Sequence, residues 1–197
     1  MQVFEEVNIP ANRSQVAQLI GADGKRLARD VAQAADAKLD DKRAEAIDKR
    51  SGEIYDELNS NPRPIAGARA LLVALSMSTL PWAIATSSRR AQVGVSVNAL
   101  KLPTEPRIID GSHVEHAKPA PDLLLRAAEE LKAPPEASWY VGDATWDMLA
   151  AHAAGMIGIG VRYGAVGTDD LMNAGARLVT SHGALLSDLQ RRGLVAR

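Results

Sequence analysis

The feature that most constrains the fold is an alternation of short apolar runs and helical patterns from residue 63 onward. Apolar runs of strand length occur at five places: 80–85, 107–110, 139–141, 156–161 and 177–180. Amphipathic segments of helical length separate most of these runs. Strands that alternate with helices are joined by right-handed crossovers. The pattern therefore predicts an α/β fold with a doubly wound, mostly parallel sheet.

Residues 1–62 have a different character, because their apolar residues recur only at helical spacing. The predicted helices cover 14–20, 25–37 and 40–58, and the proline-containing segment 61–64 ends the pattern. We therefore predict two parts, a small helical bundle at 1–62 and an α/β core at 63–197.

Composition excludes several classes of protein. The chain has no cysteine, which rules out disulfides, thiol catalysis and zinc–thiolate sites. The net charge is −1, from 23 basic and 24 acidic residues, so no basic face for nucleic acid is expected. No apolar run approaches the roughly 18 residues of a membrane span. The first residues lack the basic and apolar regions of a signal peptide, so a cytoplasmic location is expected.

Three hydroxyl-bearing residues follow the first predicted strand, at Thr86, Ser87 and Ser88. A helix begins just after them, and its free backbone N–H groups attract an anion. Thr86 could donate a hydrogen bond to a phosphate oxygen. The alternative is that these residues only cap the helix.

The second polar segment contains Lys118, which stands between an alanine and two nearby prolines, Pro119 and Pro121. Proline stiffens the backbone, so the ammonium group would be held in a fixed position where it could neutralise a phosphate. The alternative is a surface lysine beside a helix start. His113 and His116 flank this segment, and we interpret them as solvated loop residues.

The third polar segment begins at Gly142-Asp143, after the run 139–141, and Asp147 lies one helical turn further on. Ligands bind at the carboxyl ends of the strands in open α/β sheets. Two carboxylates at such an end suit a hard cation such as Mg²⁺. The alternative is that Asp143 simply caps the following helix.

Phosphate donors, a fixed ammonium and a carboxylate pair together describe a phosphoryl-transfer site. The segments 85–88, 116–122 and 141–147 resemble the second, third and fourth motifs of the haloacid dehalogenase-like hydrolase superfamily. The similarity is greatest to its small phosphatases and phosphoglucomutase-like members, whose helical cap is inserted after the first motif. Residues 5–60 resemble such a cap.

The resemblance implies a role for each matching residue. Thr86 would bind the transferring phosphate, with Ser87 and Ser88 contributing to substrate binding. Lys118 would balance the charge of the nucleophile and phosphate. Asp143, supported by Asp147, would hold Mg²⁺.

The cap contributes one further candidate residue by the same resemblance. The segment Gly21–Arg26 is similar to the cap loop that faces the substrate in this family. Lys25 is therefore expected to be a specificity residue.

The first motif of the family, Asp-x-Asp-x-Thr, has no counterpart, because no two aspartates in the chain are separated by one residue. The resemblance implies that this motif supplies the nucleophile and the general acid/base from a central first strand. The order of the parts would put it ahead of Met1. We therefore expect either that the strands ending at Thr86 and Asp143 pair directly, or that a neighbouring chain fills the gap.

The leading hypothesis is an Mg²⁺-dependent phosphatase that acts on a small phosphorylated metabolite, through an aspartyl-phosphate in the complete form that includes the first motif. The first alternative is a truncated or inactive member that binds phosphate and Mg²⁺ without turnover. The second is hydrolysis of a carbon–halogen bond, as in the dehalogenases of the superfamily. A homodimer is a further possibility, since open strand edges invite pairing.

Overall fold

The structure is a computed structural model that describes residues 1–88 and 90–196, apart from the side chain of His113. In the described part of the chain five helices come first, and strands and helices then alternate.

Four helices form the N-terminal part: α1 (Gln2–Glu6), α2 (Arg13–Leu19), α3 (Gly24–Ala34) and α4 (Asp41–Leu58). The last three correspond to the predicted helices, whereas α1 was not predicted. Three of them begin at a side chain that accepts a backbone N–H of the first turn. These N-caps are Asn12, Asp23 and Asp40. A capped N-terminus satisfies donors that the helix itself leaves unpaired, which explains why the helices start at these positions.

The four-helix part has one apolar core of its own. Its fully buried members come from α1, the loop after it, α3 and α4: Val3, Phe4, Ile9, Ala28, Val31, Ala32, Ala44, Ile47 and Ile54. Small alanines at the α3–α4 contact allow these two helices to pack closely. Arg50 of α4 forms an exposed ion pair with Glu6, at 2.9 Å, and so ties α1 to the outside of the bundle.

The rest of the chain alternates between helices and short strands. The helices are α5 (Ala68–Ser76), α6 (Arg90–Ala99), α7 (Asp122–Leu131), α8 (Thr145–Ala153), α9 (Thr168–Asn173) and α10 (His182–Arg191). The strands are β1 (Ile84–Ala85), β2 (Ile108–Ile109), β3 (Trp139–Gly142), β4 (Ile157–Val161) and β5 (Leu178–Thr180). Each predicted strand is present, and the prediction of an α/β fold with parallel pairing is confirmed.

The strands form two separate parallel sheets among the described residues. One contains β1 and β2, with Ile84 opposite Ile108, and the other has the order β3-β4-β5. The expectation that the strands ending at Thr86 and Asp143 pair directly is therefore wrong. The alternative, a neighbouring chain in the gap, stays a prediction.

Tyr140 links the two sheets across the gap between them. Its phenol, on β3, lies 3.4 Å from the backbone carbonyl oxygen of Ala85, on β1. The resemblance places the family's first strand between these two strands, and neighbouring strands must lie about 4.8 Å apart to form a ladder. Without that strand, a long side chain makes the contact and no backbone ladder joins β1 to β3 among the described residues.

Apolar helix faces join the two sheets into one body. On one face α7 and α8 share an apolar cluster with β2: Ile109, Leu123, Leu124, Ala127, Ala150, Ala151 and Ala154. Ala83, Ala85 and Tyr140 pack against this cluster. On the other face α5 and α10 cover β4, through Leu71, Ile159, Leu185 and Leu189. No helix in the described part of the chain is long and apolar enough to cross a membrane.

Candidate active site

The carboxyl ends of β1, β2 and β3 lie on one edge of the α/β part and carry polar residues. Thr86 follows β1, Asp110 follows β2, and Asp143 follows β3. The backbone N–H of Thr86 donates to the carbonyl of Ile109 at 3.0 Å, which fixes the end of β1 beside the end of β2. Thr86, Asp110 and Asp143 therefore stand at the edge where α/β proteins bind ligands.

A buried ion pair joins two of the predicted site residues. The Lys118 Nζ donates to Oδ1 of Asp147 at 2.6 Å, and each side chain is only 7% exposed. Separating the pair would leave each charge buried without a partner, which is costly in free energy. The ion pair therefore holds both side chains in fixed positions. The sequence prediction of a rigidly placed ammonium agrees with this geometry.

Both oxygens of Asp147 are fully occupied by protein donors. Oδ1 lies near the Lys118 ammonium and the Tyr140 hydroxyl, the latter at 3.2 Å. Oδ2 accepts the backbone N–H groups of Asp143 and Ala144, both at 3.1 Å. Four donors thus surround this carboxylate and hold it at the edge of the site. The metal ligation that the sequence suggested for Asp147 stays a prediction.

Asp143 is in the opposite situation, because its carboxylate is half-buried and receives no hydrogen bond from a described side chain. Burial raises the pKa of this group, and the charge of Asp147 raises it further. The charges of Lys118 and His182 act in the other direction. A half-buried carboxylate beside another carboxylate is stabilised by a cation, so the chemistry of Asp143 fits Mg²⁺.

The position of Asp143 is enforced by its neighbour in space, Gly164. A Cβ at Gly164 would lie 2.2 Å from the carbonyl oxygen of Asp143, which no side chain could tolerate.

The described residues contain no group of three or more histidines or carboxylates that could hold a metal on its own. Asp143 is thus the one sequence-predicted ligand whose oxygens are not engaged by described side chains.

Thr86 has the hydrogen-bonding arrangement expected of a phosphate donor. Its Oγ1 accepts the backbone N–H of Ser88 at 3.1 Å, which leaves the hydroxyl hydrogen available to donate to a ligand. Ser87 is exposed and Ser88 is half-buried. Substrate binding by these two serines stays a prediction.

Tyr140 is a site residue that the sequence analysis missed. Its hydroxyl lies between Oδ1 of Asp147 and the carbonyl of Ala85, so it connects β3 to the end of β1. Burial raises the pKa of this phenol well above its usual value, and Asp147 adds to the effect. The sequence did contain a signal for this role, a tyrosine inside an apolar strand. A buried phenol needs a hydrogen-bond partner, so such a tyrosine is expected to contact a polar group. We call Lys118, Tyr140 and Asp147 the Asp147 cluster.

The bundle contacts this edge through residues other than the predicted one. Lys25 lies 3.7 Å from Glu45, within the bundle. The guanidinium of its neighbour Arg26 lies 4.7 Å from the centre of the Trp146 ring, on the first turn of α8. Arg26 belongs to the predicted cap loop, whereas its contact with Trp146 was missed, because nothing in either local pattern points to the other.

The histidine next to Lys118 is paired away from the cluster. His116 Nδ1 lies 2.9 Å from a carboxylate oxygen of Asp122, both at the surface, and this pairing raises the pKa of His116. That arrangement is typical of a solvated loop. The interpretation of the His113 side chain lies outside the described residues.

Comparison with known proteins identifies the family. The sequence profile of the haloacid dehalogenase-like hydrolases matches residues 1–161. A hydrolase from Pseudomonas syringae has the same fold, with a TM-score of 0.89 and 30% sequence identity, over 96% of this chain and 87% of that one. A family hydrolase from Deinococcus radiodurans with bound phosphate and sodium gives a TM-score of 0.70 and 25% identity, over 99% and 87%.

Among characterised relatives, the chain is similar to the phosphoglycolate phosphatase of Escherichia coli strain K12. The two are 35% identical over 94 residues, which are 47% of this chain and 37% of that enzyme. The matched part is therefore well under half the length of that relative. The chain belongs to the haloacid dehalogenase-like hydrolases, as the motifs around Thr86, Lys118 and Asp143 suggested.

Proposed function

We propose that this protein acts in the Mg²⁺-dependent hydrolysis of small phosphate monoesters. The observation that carries the proposal is the buried Lys118–Asp147 pair at the strand edge shared by Thr86 and Asp143. A phosphate monoester needs positive charge and hydrogen-bond donors on its oxygens, and this edge offers both.

Lys118 supplies the fixed positive charge. Its ammonium has three N–H donors, and the contact with Asp147 engages one of them. The others are free to meet phosphate oxygens as negative charge develops on them. Because Asp147 holds the ammonium before substrate arrives, no reorganisation is needed at the moment of reaction.

Thr86 and Asp143 would hold the substrate from either side of Lys118. The Thr86 hydroxyl can donate to a phosphate oxygen, because the bond from the Ser88 N–H uses a lone pair of the oxygen and leaves its hydrogen available. Asp143 would hold Mg²⁺, with Asp147 orienting its backbone. The ion, when bound, would polarise a phosphoryl oxygen and neutralise charge. The Deinococcus relative contains bound phosphate and sodium, which supports binding of an anion and a cation by a protein of this fold.

The helical bundle of residues 1–62 would act as a cap in this proposal. Its α2–α3 region contacts the first turn of α8, next to Asp143 and Asp147. A cap in that position would exclude water from the site and select among substrates. A cytoplasmic location and small-metabolite substrates go with this proposal.

A second candidate function is binding of phosphate and Mg²⁺ without turnover. It is favoured by the lack of any Asp-x-Asp pair in the chain. Two carboxylates at this edge of the site are already engaged, Asp147 of α8 by Lys118 and Asp110 after β2 by Ser112. Without an attacking carboxylate a covalent phosphoryl intermediate cannot form. Carbon–halogen hydrolysis ranks lower, since hydroxyl donors and an ammonium suit phosphate better.

The test uses the full chain, a panel of small phosphate monoesters, and Mg²⁺ present or removed by chelation. Release of phosphate that requires Mg²⁺ and falls at least tenfold in Asp143→Asn would support the enzyme. Phosphate binding measured by calorimetry, with no release, would support the binding module. Turnover that is unchanged in Asp143→Asn would exclude the proposed metal role, and a chain that neither binds nor releases phosphate would exclude both functions.

A further inference from the structure

Two stacked rings, Tyr163 and His182, lie at the same edge of the α/β part as the candidate site. Tyr163 comes two residues after the end of β4, and His182 comes two residues after the end of β5. Their ring centres are 4.9 Å apart and the ring planes differ by 3°, so the rings are parallel. Asp143 directly follows β3, the strand that pairs with β4, which brings the stack close to the carboxylate.

The loop that carries Tyr163 lies directly against the backbone of Asp143. A Cβ built on Gly164 would lie 2.2 Å from the carbonyl oxygen of Asp143 and 3.0 Å from its Cβ. Only a glycine allows so close an approach of two backbones. The conformation of Asp143 therefore depends on where this loop is held, and His182 contacts the loop through the ring of Tyr163.

The backbone at the start of α10 is in turn packed against the linker between the bundle and the α/β part. This linker, residues 59–67, runs from the end of α4 to the start of α5. Its last residue, Gly67, has a φ of +79°, and a Cβ there would lie 3.2 Å from the Cβ of His182 and 2.9 Å from the nitrogen of Gly183. This contact fixes the place from which the His182 ring reaches Tyr163.

The hydrogen bonding of His182 is incomplete. Its Nδ1 is buried and has no partner among the described residues, which costs free energy. Burial lowers the pKa of His182, against opposing effects of the Ala66 backbone and the charge of Asp143, so the ring is neutral at pH 7. A neutral ring places no positive charge beside a bound cation. The flat contact with Tyr163 is thus a better explanation of the ring's place than its nitrogens are.

We infer that Tyr163 and His182 are positioning residues for the cation site, because their stacked rings hold the loop at 162–164 against the backbone of Asp143. The inference rests on the proposed function and extends it to two residues that would touch neither the ion nor the substrate.

A carboxylate needs such support to ligate a metal well, because the groups that hold a ligand in place also tune its affinity. Asp143 has no described side-chain donor on its carboxylate, so its orientation depends on its backbone. Asp147 accepts the N–H of Asp143 at 3.1 Å, and Gly164 packs on the carbonyl of Asp143. The stack on Tyr163 holds the second of these supports in place.

The experiment measures the Mg²⁺ affinity of the full chain by thermal melts over a series of Mg²⁺ concentrations. A bound ion raises the melting temperature according to the ratio of its concentration to its dissociation constant, so the series gives that constant for each variant. His182→Ala and Tyr163→Ala each remove the stack and should weaken Mg²⁺ binding about tenfold. Tyr163 is 37% exposed, so Tyr163→Ala decides the matter if His182→Ala fails to fold.

Two variants that keep the stack should also keep the affinity. His182→Phe exchanges one flat ring for another and removes the unpaired nitrogen, and Tyr163→Phe removes only a hydroxyl. His152→Ala is the matched control and should bind Mg²⁺ as wild type does, since His152 is an exposed histidine in the last turn of α8. Melts in chelator report stability separately, and a merely structural role would change those melts alone.

Unchanged Mg²⁺ affinity in Tyr163→Ala would overturn the inference while leaving the cation site in place. Equal weakening in His182→Phe or in His152→Ala would also overturn it, since neither removes the stack. Asp143→Asn separates this inference from the proposed function. If wild type responds to Mg²⁺ no more than Asp143→Asn does, the proposed metal role and this inference fail together.

Discussion

The helical bundle and the α/β part are stabilised by different kinds of interior. The bundle buries only apolar side chains, in one cluster. The described residues with buried charge, Asp110, Lys118 and Asp147, are all in the α/β part, whose apolar residues are divided among several clusters. The bundle is therefore stabilised by an ordinary apolar core. The stability of the α/β part also depends on buried polar contacts, and the same contacts make up the site.

Because of this difference, only the α/β part has site residues whose polar contacts also contribute to the stability of the fold. Substitutions in the bundle should lower stability in proportion to the volume they remove. Substitutions in the Asp147 cluster should have effects set by which partner is left unpaired. Four substitutions test this contrast.

The largest effect is expected from Asp147→Ala. It leaves the Lys118 ammonium buried without its partner and removes an acceptor from two backbone N–H groups. The free energy of unfolding should fall by about 4 kcal/mol, measured by urea denaturation. Asp143→Ala is the control and should cost less than about 1 kcal/mol, because that carboxylate has no described side-chain donor. Similar losses in the two variants would contradict the contrast between them.

A bundle substitution should act on the bundle alone. Ile47 is 3% exposed in the apolar cluster, so Ile47→Ala should cost about 3 kcal/mol. Trp146 contacts the bundle through Gln18 and Arg26, so both proteins compared carry Trp146→Phe, and the remaining tryptophans, Trp82 and Trp139, lie in the α/β part. The helical circular-dichroism transition should therefore shift more than the tryptophan fluorescence transition. Coincident shifts would mean that the two parts unfold as one unit.

A smaller effect is expected when only the hydroxyl of the Asp147 cluster is removed. Tyr140→Phe takes one donor from Asp147, which keeps three others, and loses the contact with Ala85. The expected cost is about 1 kcal/mol by urea denaturation. Tyr163→Phe is the matched control, since the Tyr163 ring is partly exposed and its described contact is a stack on His182. A larger loss in the control would refute the role given to the Tyr140 hydroxyl.

The smallest effect, and the only one of opposite sign, is expected from Asp143→Asn without Mg²⁺. The pKa of Asp143 is raised in the folded state, so the folded protein binds the proton of this carboxyl group more tightly than the unfolded chain does. Wild-type stability therefore gains from this group as pH falls through its raised pKa, and the ionised form lowers stability at neutral pH. The variant should be more stable by about 0.5 kcal/mol at pH 7, after allowance for solvent screening.

Addition of Mg²⁺ should reverse that order. Mg²⁺ at 100 times its dissociation constant would stabilise wild type by about 2.7 kcal/mol and the variant very little. Thermal melts of both proteins, with Mg²⁺ and with chelator, measure both effects. A variant that melts below wild type in chelator, or that gains equally from Mg²⁺, would show that Asp143 is neither a costly charge nor a ligand.

The sequence was sufficient for the parts of the fold that local patterns determine. Helical spacing in 1–62 and the alternation after residue 63 predicted every strand and the positions of most helices. The polar residues after the strands were also predicted to meet, because the carboxyl ends of parallel strands share an edge. Thr86, Lys118 and Asp143 lie at this edge for that reason.

The remaining features depend on contacts between residues far apart in the chain. The sequence suggested Asp147 as a metal ligand, and its engagement by Lys118 and Tyr140 could not be inferred from the spacing of Asp143 and Asp147. The division of the sheet and the stacking of Arg26 on Trp146 are of the same kind. Such contacts follow from three-dimensional packing, for which local periodicity carries no signal.

The donors around Asp147 have a consequence for the order in which the protein folds. Lys118 is 29 residues from Asp147, and the Tyr140 contact with Ala85 spans 55. Closing such long loops costs entropy before the contact compensates for it. We therefore expect the bundle, with its nearby helix contacts, to form early and the Asp147 cluster to form after the folding transition state. A φ-value near zero for Tyr140→Phe in stopped-flow refolding would agree, and a value near one would place the site in the folding nucleus.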